Sequence, residues 1–268
     1  LFPYTTLFRS ESVKEEYRKD PGPRLFLLDY DGTLSPIAAT PAAAVPSPRL
    51  KEVLAQLCHD EKNYVYIISG RDCKTLDSWL GNVKELGMSA EHGCYLKQAG
   101  SRDWTCLLAE DEDDTWQKEV MQIFEHFTER TSGSFIEKKS KAITWHYRQA
   151  DPEFGTSQAR QCQILLEQMI CGKLPVEVIT GKKNLEVRPL AITKGGIVDL
   201  ILKNHAAEGA FIFCAGDDRT DEDMFRTLSQ ERSNIFTCSV GPDNKKTAAR
   251  YHVNNPEQLL HLLSCLAE

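Results

Sequence analysis

Short apolar runs that each stop at a polar cluster constrain the fold of this chain more than any other feature. Arg24-Leu25-Phe26-Leu27-Leu28 follows Pro21-Gly22-Pro23 and ends in Asp29-Tyr30-Asp31-Gly32-Thr33-Leu34. Asn63 to Ile68 ends in Ser69-Gly70-Arg71, Leu86 to Ala90 in Glu91-His92-Gly93, and Phe211 to Ala215 in Gly216-Asp217-Asp218. Runs this short, bounded by Gly, Pro and Asp, predict buried strands. Ile235 to Val240 predicts a further one. Between them lie stretches that read as helices, at about 49–59 and about 72–80, then Lys194 to about Asn204, Asp221 to Leu228 and Pro256 to Leu266. In the first of these, Leu50, Val53, Leu54 and Leu57 share one face. Strand, helix and strand in this rhythm build a parallel sheet, so the expected class is α/β.

The middle of the chain breaks that rhythm. A helix of about 114–130 precedes two strands, Ser134 to Glu137 and Ala142 to Tyr147. A second helix, about 155–171, precedes strands at Val176 to Thr180 and Leu185 to Val187. This αββ-αββ repeat suits a small sheet with helices on one face. The expected organisation is a core of residues 11–110 and 191–268 with a second domain, 111–190, inserted into it. The acidic run Glu110 to Asp114 reads as a solvated helix start, where carboxylates are stabilised by the helix dipole. The first ten residues, LFPYTTLFRS, resemble the translation of a sequencing-adapter oligonucleotide and are set aside from fold reasoning. That reading implies that natural residues are missing on the N-terminal side and leaves room for a further domain there.

Composition narrows the function class. The net charge of −7 comes without a basic patch, which argues against nucleic acid as a partner. An anionic substrate therefore needs a locally positive pocket. No apolar run approaches the ~20 residues that span a bilayer. The nine cysteines are scattered and contain no CxxC pair, so they read as idle thiols of a reducing cytosol.

Four polar clusters fall at predicted strand ends or at the helix start beside them: Asp29–Thr33, Ser69–Arg71, Lys194 and Asp217–Asp221. In open α/β sheets, sites gather at the carboxyl ends of the strands. Singly, each cluster has an ordinary explanation as a turn, a cap or a solvated charge. Together and in this order they supply what cleavage of a phosphate ester requires. Asp29 can attack phosphorus as a carboxylate, and Asp31 can serve as acid and then base. Their environments must hold their two pKa values apart. Ser69 can hydrogen-bond a phosphoryl oxygen, and Lys194 adds charge at a helix start. Magnesium favours such oxygen ligands. The candidate ligands are Asp29, the backbone carbonyl of Asp31 and Asp217, with Asp218 and Asp221 orienting waters or neighbouring groups.

These clusters resemble the four motifs of the haloacid dehalogenase superfamily: DYDGT, the serine of ISGR, the lysine of TKG, and GDD. The likeness extends to the trehalose-6-phosphate phosphatases through LFLLDYDGTLSPI, IISGRD, SAEHG, GSFIEKKSKAITWHYR, KKNLEVRP and AGDDRTDEDMF. It is strongest to the phosphatase region of fungal-type proteins and covers nearly all of residues 23–268. The resemblance implies a Rossmann-like core with an inserted αββ-αββ cap. It also implies hydrolysis of trehalose 6-phosphate through an aspartyl-phosphate with Mg, the last step of trehalose biosynthesis; the alternatives are another sugar-phosphate phosphatase of the superfamily or a non-catalytic regulatory domain of a trehalose-synthesis complex. The substrate it implies is a small sugar phosphate, with no nucleic acid and no membrane. Its implied partners are an N-terminal synthase-like domain or other trehalose-synthesis subunits. Specificity falls on the cap. Glu137, Lys139 and Arg148, with Lys182, Asn184 and Glu186, match positions that grip sugar hydroxyls, and Arg71, a further substrate-binding candidate, sits at the cleft edge with Glu91 and His92. Lys138 and Lys183 are expected to point away from these neighbours, and Trp116 and Trp145 to be core.

Overall fold

In the computed structural model of the chain, the described residues are 6–7, 10–19, 22–108, 115–170, 172–191, 193–205, 209–228, 232–242 and 245–267. The acidic run Glu110 to Asp114 lies outside them, as does Cys171. The chain divides into two compact units, one made of residues up to Leu107 with those from Thr193 onward, the other of the residues between.

The first unit begins with β1 (Thr6–Leu7), α1 (Ser10–Lys19), β2 (Arg24–Leu28), α2 (Pro48–His59), β3 (Asn63–Ile68) and α3 (Cys73–Leu80). It continues through β4 (Gly87–Ala90), β5 (Tyr95–Lys97) and β6 (Thr105–Cys106). The second unit contains α4 (Trp116–Arg130), β7 (Phe135–Lys138), β8 (Ile143–His146), α5 (Pro152–Met169), β9 (Val176–Gly181) and β10 (Asn184–Pro189). The first unit then resumes with α6 (Lys194–His205), β11 (Ile212–Gly216), α7 (Asp221–Thr227), β12 (Ile235–Val240), β13 (Tyr251–Val253) and α8 (Pro256–Ala267).

The sheet of the first unit runs β1-β13-β12-β11-β2-β3-β4-β5-β6. It is parallel up to β4, with β5 and β6 added antiparallel at one edge. Strand β2 shows why its sequence reads as an unbroken apolar run. Phe26 and Leu28 pack into one cluster with Leu54 of α2 and Leu263 of α8. Leu25 and Leu27 pack into another with Ile197 and Ile201 of α6 and Phe225 of α7. Both faces are covered, so alternation has nothing to distinguish.

In the second unit the order is β7-β8-β10-β9, antiparallel throughout. Helices α4 and α5 cover one face, where Phe124, Cys162, Trp145 and Leu185 meet; Trp116 and Trp145 are both core residues. Helix α5 starts three residues before the predicted 155 because Asp151 caps it. The Asp151 side chain accepts the N–H groups of Glu153 and Phe154, and Pro152 fills the first turn. The other face of the sheet carries Glu137, Thr144 and Glu186 in one cross-strand row and Phe135, His146 and Asn184 in the next.

Candidate active site

Strands β11, β2 and β3 are neighbours, and their carboxyl ends deliver Asp217, Asp29 and Ser69 side by side. The Asp29 N–H extends the ladder one residue past β2, donating to the Ala215 carbonyl at 3.0 Å. Its side chain is buried, with Oδ1 accepting from Lys194 Nζ at 2.6 Å and Oδ2 without a hydrogen-bond partner. Lys194, in the first turn of α6, is itself 2% exposed and donates also to Asp221 Oδ1 at 2.7 Å. Asp221 turns its second oxygen to the N–H groups of Asp217 and Asp218, at 2.7 and 2.9 Å. Both of its oxygens are thus engaged within the protein, and it fixes the turn that presents Asp217. Asp218 faces another way, its Oδ1 accepting from the N–H and hydroxyl of Thr220.

Burial dominates the electrostatics of the cluster. It raises the Asp29 carboxyl well above the usual range, and the charge of Asp221 adds to this. Burial likewise pushes Asp221 up to about 6, against the pull of Lys194. Burial alone would lower Lys194, yet Asp221 and Asp29 outweigh it and hold the ammonium well above its ordinary value. At Asp218, burial is outweighed by Lys194 and the Thr220 hydrogen bond, and the carboxyl lies below its usual range.

Asp29, Asp217 and Asp221 each offer an oxygen within 4.8 Å of the others. Negative charge exceeds what Lys194 supplies, and the orphaned Asp29 Oδ2 has no donor. All the donors are hard oxygens, so this acidic set fits a hard divalent cation. Gly32 makes the set possible. Its φ is +90°, and a Cβ there would lie 2.2 Å from Asp217 Oδ2. Gly32→Ala is expected to displace the Asp217 carboxylate and strain the turn by about 1–2 kcal/mol. It should lower the melting temperature and weaken binding of an added divalent cation in calorimetric titration by roughly tenfold or more, the loss of about 1.4 kcal/mol of ligand contact. Unchanged affinity would show that Asp217 is not a ligand.

Around Ser69 the backbone is stapled. Ser69 Oγ accepts the Arg71 N–H at 3.1 Å, while the Ser69 and Arg71 carbonyls accept the N–H groups of His92 and Glu91 at 3.0 and 2.9 Å. Glu91 and His92 both have positive φ, 49° and 57°, a strained pair that turns those donors back onto the loop. His92 packs so closely on Gly70 that a Cβ there would lie 2.3 Å from its Nε2. Asp31 is half-exposed and held by Arg71, whose Nε and Nη2 donate to its two oxygens at 2.7 and 2.5 Å.

Of the residues expected to bind the substrate, Arg71 belongs to the first unit and the other six to the second, on which they are only partly gathered. Glu186, 7% exposed, accepts from Lys139 Nζ at 2.9 Å and from Thr144 Oγ1 at 2.8 Å. Glu137 Oε2 lies 2.7 Å from His146 Nε2, and the His146 ring stacks on Phe135 with centroids 4.7 Å apart. Asn184 shares the Phe135–His146 row. Arg148 and Lys182 are exposed and meet through the Arg148 Nη2 and the Lys182 carbonyl, at the turn that joins β9 to β10. Lys183 is committed elsewhere, donating to Thr156 Oγ1 at 3.1 Å. Thr144 and His146 are additions to the expected set. Their signal was the alternation in Ile143-Thr144-Trp145-His146, which sends the two polar side chains to the face opposite the core. Lys245, which donates to the Asp217 carbonyl, carries no local signal.

A family profile described as Trehalose-phosphatase matches residues 27–257. A protein of Schizosaccharomyces pombe named "Trehalose-phosphatase" is 50% identical over 250 residues, covering 91% of this chain and 30% of that protein. The "Alpha,alpha-trehalose-phosphate synthase (UDP-forming) B" of Dictyostelium discoideum is 42% identical over 259 residues, covering 96% of this chain and 32% of that protein. The chain therefore spans about a third of the length of these curated relatives. Among solved structures, the C-terminal domain of C. albicans trehalose-6-phosphate phosphatase superposes with a TM-score of 0.92 at 43% identity, over 98% of this chain and 99% of that one.

Proposed function

The chain belongs to the trehalose-phosphatase family, and from that premise we propose that it hydrolyses trehalose 6-phosphate to trehalose and phosphate through an aspartyl-phosphate on Asp29. Asp29 itself carries the reading. It is a buried carboxylate at a parallel-strand end, with one oxygen tied to Lys194 and the other without a hydrogen-bond partner.

In the first step the partnerless Oδ2 of Asp29 forms a bond to phosphorus as the bond from phosphorus to the sugar oxygen breaks. Asp31 gives that oxygen its proton, so neutral trehalose leaves. In the second step a water oxygen attacks phosphorus, Asp31 takes the water proton, and the bond to Asp29 breaks to release phosphate. Ser69, whose Oγ accepts from the Arg71 N–H, keeps its own proton to donate to a phosphoryl oxygen. Lys194 holds Asp29 in place and balances part of its charge throughout. Asp29, Asp217 and the Asp31 carbonyl would hold magnesium, which supplies charge stabilisation at the phosphoryl oxygens when bound.

Selection of the sugar is assigned to the polar face of the second unit. The Lys139–Glu186–Thr144 group, the Glu137–His146 pair and Asn184 offer a disaccharide donors and acceptors that are already oriented. Arg148 and Lys182 add cationic groups at the rim. We place the reaction in a reducing cytosol, a setting supported by the eight described cysteines, all free thiols. No helix among the described residues is long and apolar enough to cross a membrane. A synthase-like domain is the proposed partner, in keeping with the name of the Dictyostelium relative.

Phosphate release tests the reading. With magnesium, trehalose 6-phosphate should be hydrolysed well ahead of sucrose 6-phosphate and glucose 6-phosphate, and EDTA should abolish the activity. Equal rates across the three sugars, or full activity in EDTA, would sink it.

A further inference from the structure

We infer that Arg71 is a positioning residue for Asp31, and not a contact for the sugar. The inference rests on the aspartyl-phosphate reading above, in which Asp31 moves the proton of each step. A carboxylate on a short, half-exposed side chain can rotate freely about its last bond, and general acid–base catalysis needs one orientation. Arg71 supplies that orientation through a two-pronged contact, Nε to Asp31 Oδ2 at 2.7 Å and Nη2 to Oδ1 at 2.5 Å. A planar guanidinium gripping both oxygens fixes the plane of the carboxylate, which a lysine ammonium cannot do.

The guanidinium is anchored in turn. Its Nη1 donates to the Pro41 carbonyl at 2.7 Å, and its carbon lies 5.1 Å from the centroid of the Trp79 ring. Trp79 packs on Tyr30, the residue between the two aspartates, at 5.4 Å, and the Tyr30 hydroxyl donates to the Ala44 carbonyl at 2.7 Å. The Arg71 backbone binds Ser69 Oγ on one side and the strained Glu91 on the other. Arg71 therefore ties the Asp31 carboxylate to the loop that carries Ser69, so that proton donor and phosphoryl contact keep a fixed relation. Both prongs still leave each Asp31 oxygen a second lone pair for a proton.

The test compares three substrates: 4-nitrophenyl phosphate, whose leaving group needs no proton, and ethyl phosphate and trehalose 6-phosphate, whose alkoxide leaving groups both need one. The measured quantity is kcat/KM, which reports the steps up to departure of the leaving group. Arg71→Lys is expected to lower kcat/KM on ethyl phosphate and on trehalose 6-phosphate alike, by roughly 10- to 100-fold, part of what a general acid contributes. Turnover of 4-nitrophenyl phosphate, whose phenolate leaves without a proton, should fall by less than about threefold. In an Asp31→Asn background, Arg71→Lys should have almost no further effect on the alkyl substrates, because its target is gone. Loss confined to trehalose 6-phosphate would make Arg71 a sugar contact and overturn the inference. Equal loss on all three, or full additivity with Asp31→Asn, would overturn it in favour of a phosphate contact or a folding role. The two small esters contain no sugar. A wild type that cleaves them and spares trehalose 6-phosphate would defeat the substrate reading while still deciding the role of Arg71.

Discussion

Asp29→Asn should abolish turnover of trehalose 6-phosphate, by roughly 10⁴-fold or more, as loss of a nucleophile does. The same change should raise the melting temperature of the metal-free protein. Three carboxylates crowd around Lys194, and burial followed by the charge of Asp221 holds the Asp29 carboxyl well above its usual range. A carboxyl whose pKa rises on folding binds its proton more tightly in the folded state. Its stabilising contribution is full below the unfolded value of about 4 and is lost as the pH rises through the folded value. Asp221, raised to about 6 by burial, acts in the same direction. Metal-free wild type should therefore lose stability as the pH climbs from about 4 through about 6, and Asp29→Asn should lose less. Bound magnesium favours the ionised carboxylates, so the stabilisation it confers should grow over that window, reaching ~2.7 kcal/mol at a hundredfold excess over Kd. Scanning calorimetry from pH 4.5 to 7.5, with EDTA or magnesium, checks the stability half. Acid-quenched phosphoenzyme checks the chemical half. Turnover that survives Asn at position 29 would end the covalent mechanism, and a metal-free variant less stable than wild type would contradict the electrostatic account.

What the sequence revealed of this fold follows from which forces are local. Strand β2 was legible because a strand covered on both faces must be apolar along its whole length, and the polar residues begin where the sheet ends. For the same reason Asp29, Ser69 and Asp217 are legible in the sequence: each is the polar residue that follows such a run. Strands β5 and β6 were not legible, since three and two residues are too few to show a period. Their antiparallel pairing at the edge of a parallel sheet is set by contacts outside the segment. The predicted start of α5 falls three residues late, although Asp151 and Pro152, a capping aspartate and a first-turn proline, are helix-start residues. The grip of Arg71 on Asp31 spans forty residues of sequence and has no local signature. Asp221 lay between these cases. Its acidic charge at a helix start was plain, but its engagement by Lys194 and by the Asp217 and Asp218 N–H groups appears only once the turn is folded.

Glu186→Ala should separate substrate choice from chemistry. Its carboxylate lies 2.9 Å from the Lys139 ammonium on two buried side chains, with Thr144 Oγ1 as a third member. Removing one partner of a buried pair costs about 3–5 kcal/mol, a loss that falls on the second unit. The carboxylates proposed to carry the chemistry are in the first unit, so turnover of a substrate without a sugar should persist. The expected result is a loss of roughly 10²- to 10³-fold in kcat/KM on trehalose 6-phosphate, since a site built to bond hydroxyls fails steeply when its own polar groups lose their partners. The loss on 4-nitrophenyl phosphate should stay below about threefold, because that ester presents no hydroxyls to the missing group. Stability and recognition can be told apart with a second variant, Glu186→Leu with Lys139→Met. Replacing both charges by apolar groups of similar volume is often neutral or stabilising, so the melting temperature should recover towards wild type. Selectivity should not recover, because a dry apolar pair offers nothing to a sugar hydroxyl. Equal losses on the two substrates would reduce Glu186 to a structural residue. A double variant that regained its discrimination along with its stability would do the same, because ion-pair chemistry would then have no part in choosing the sugar.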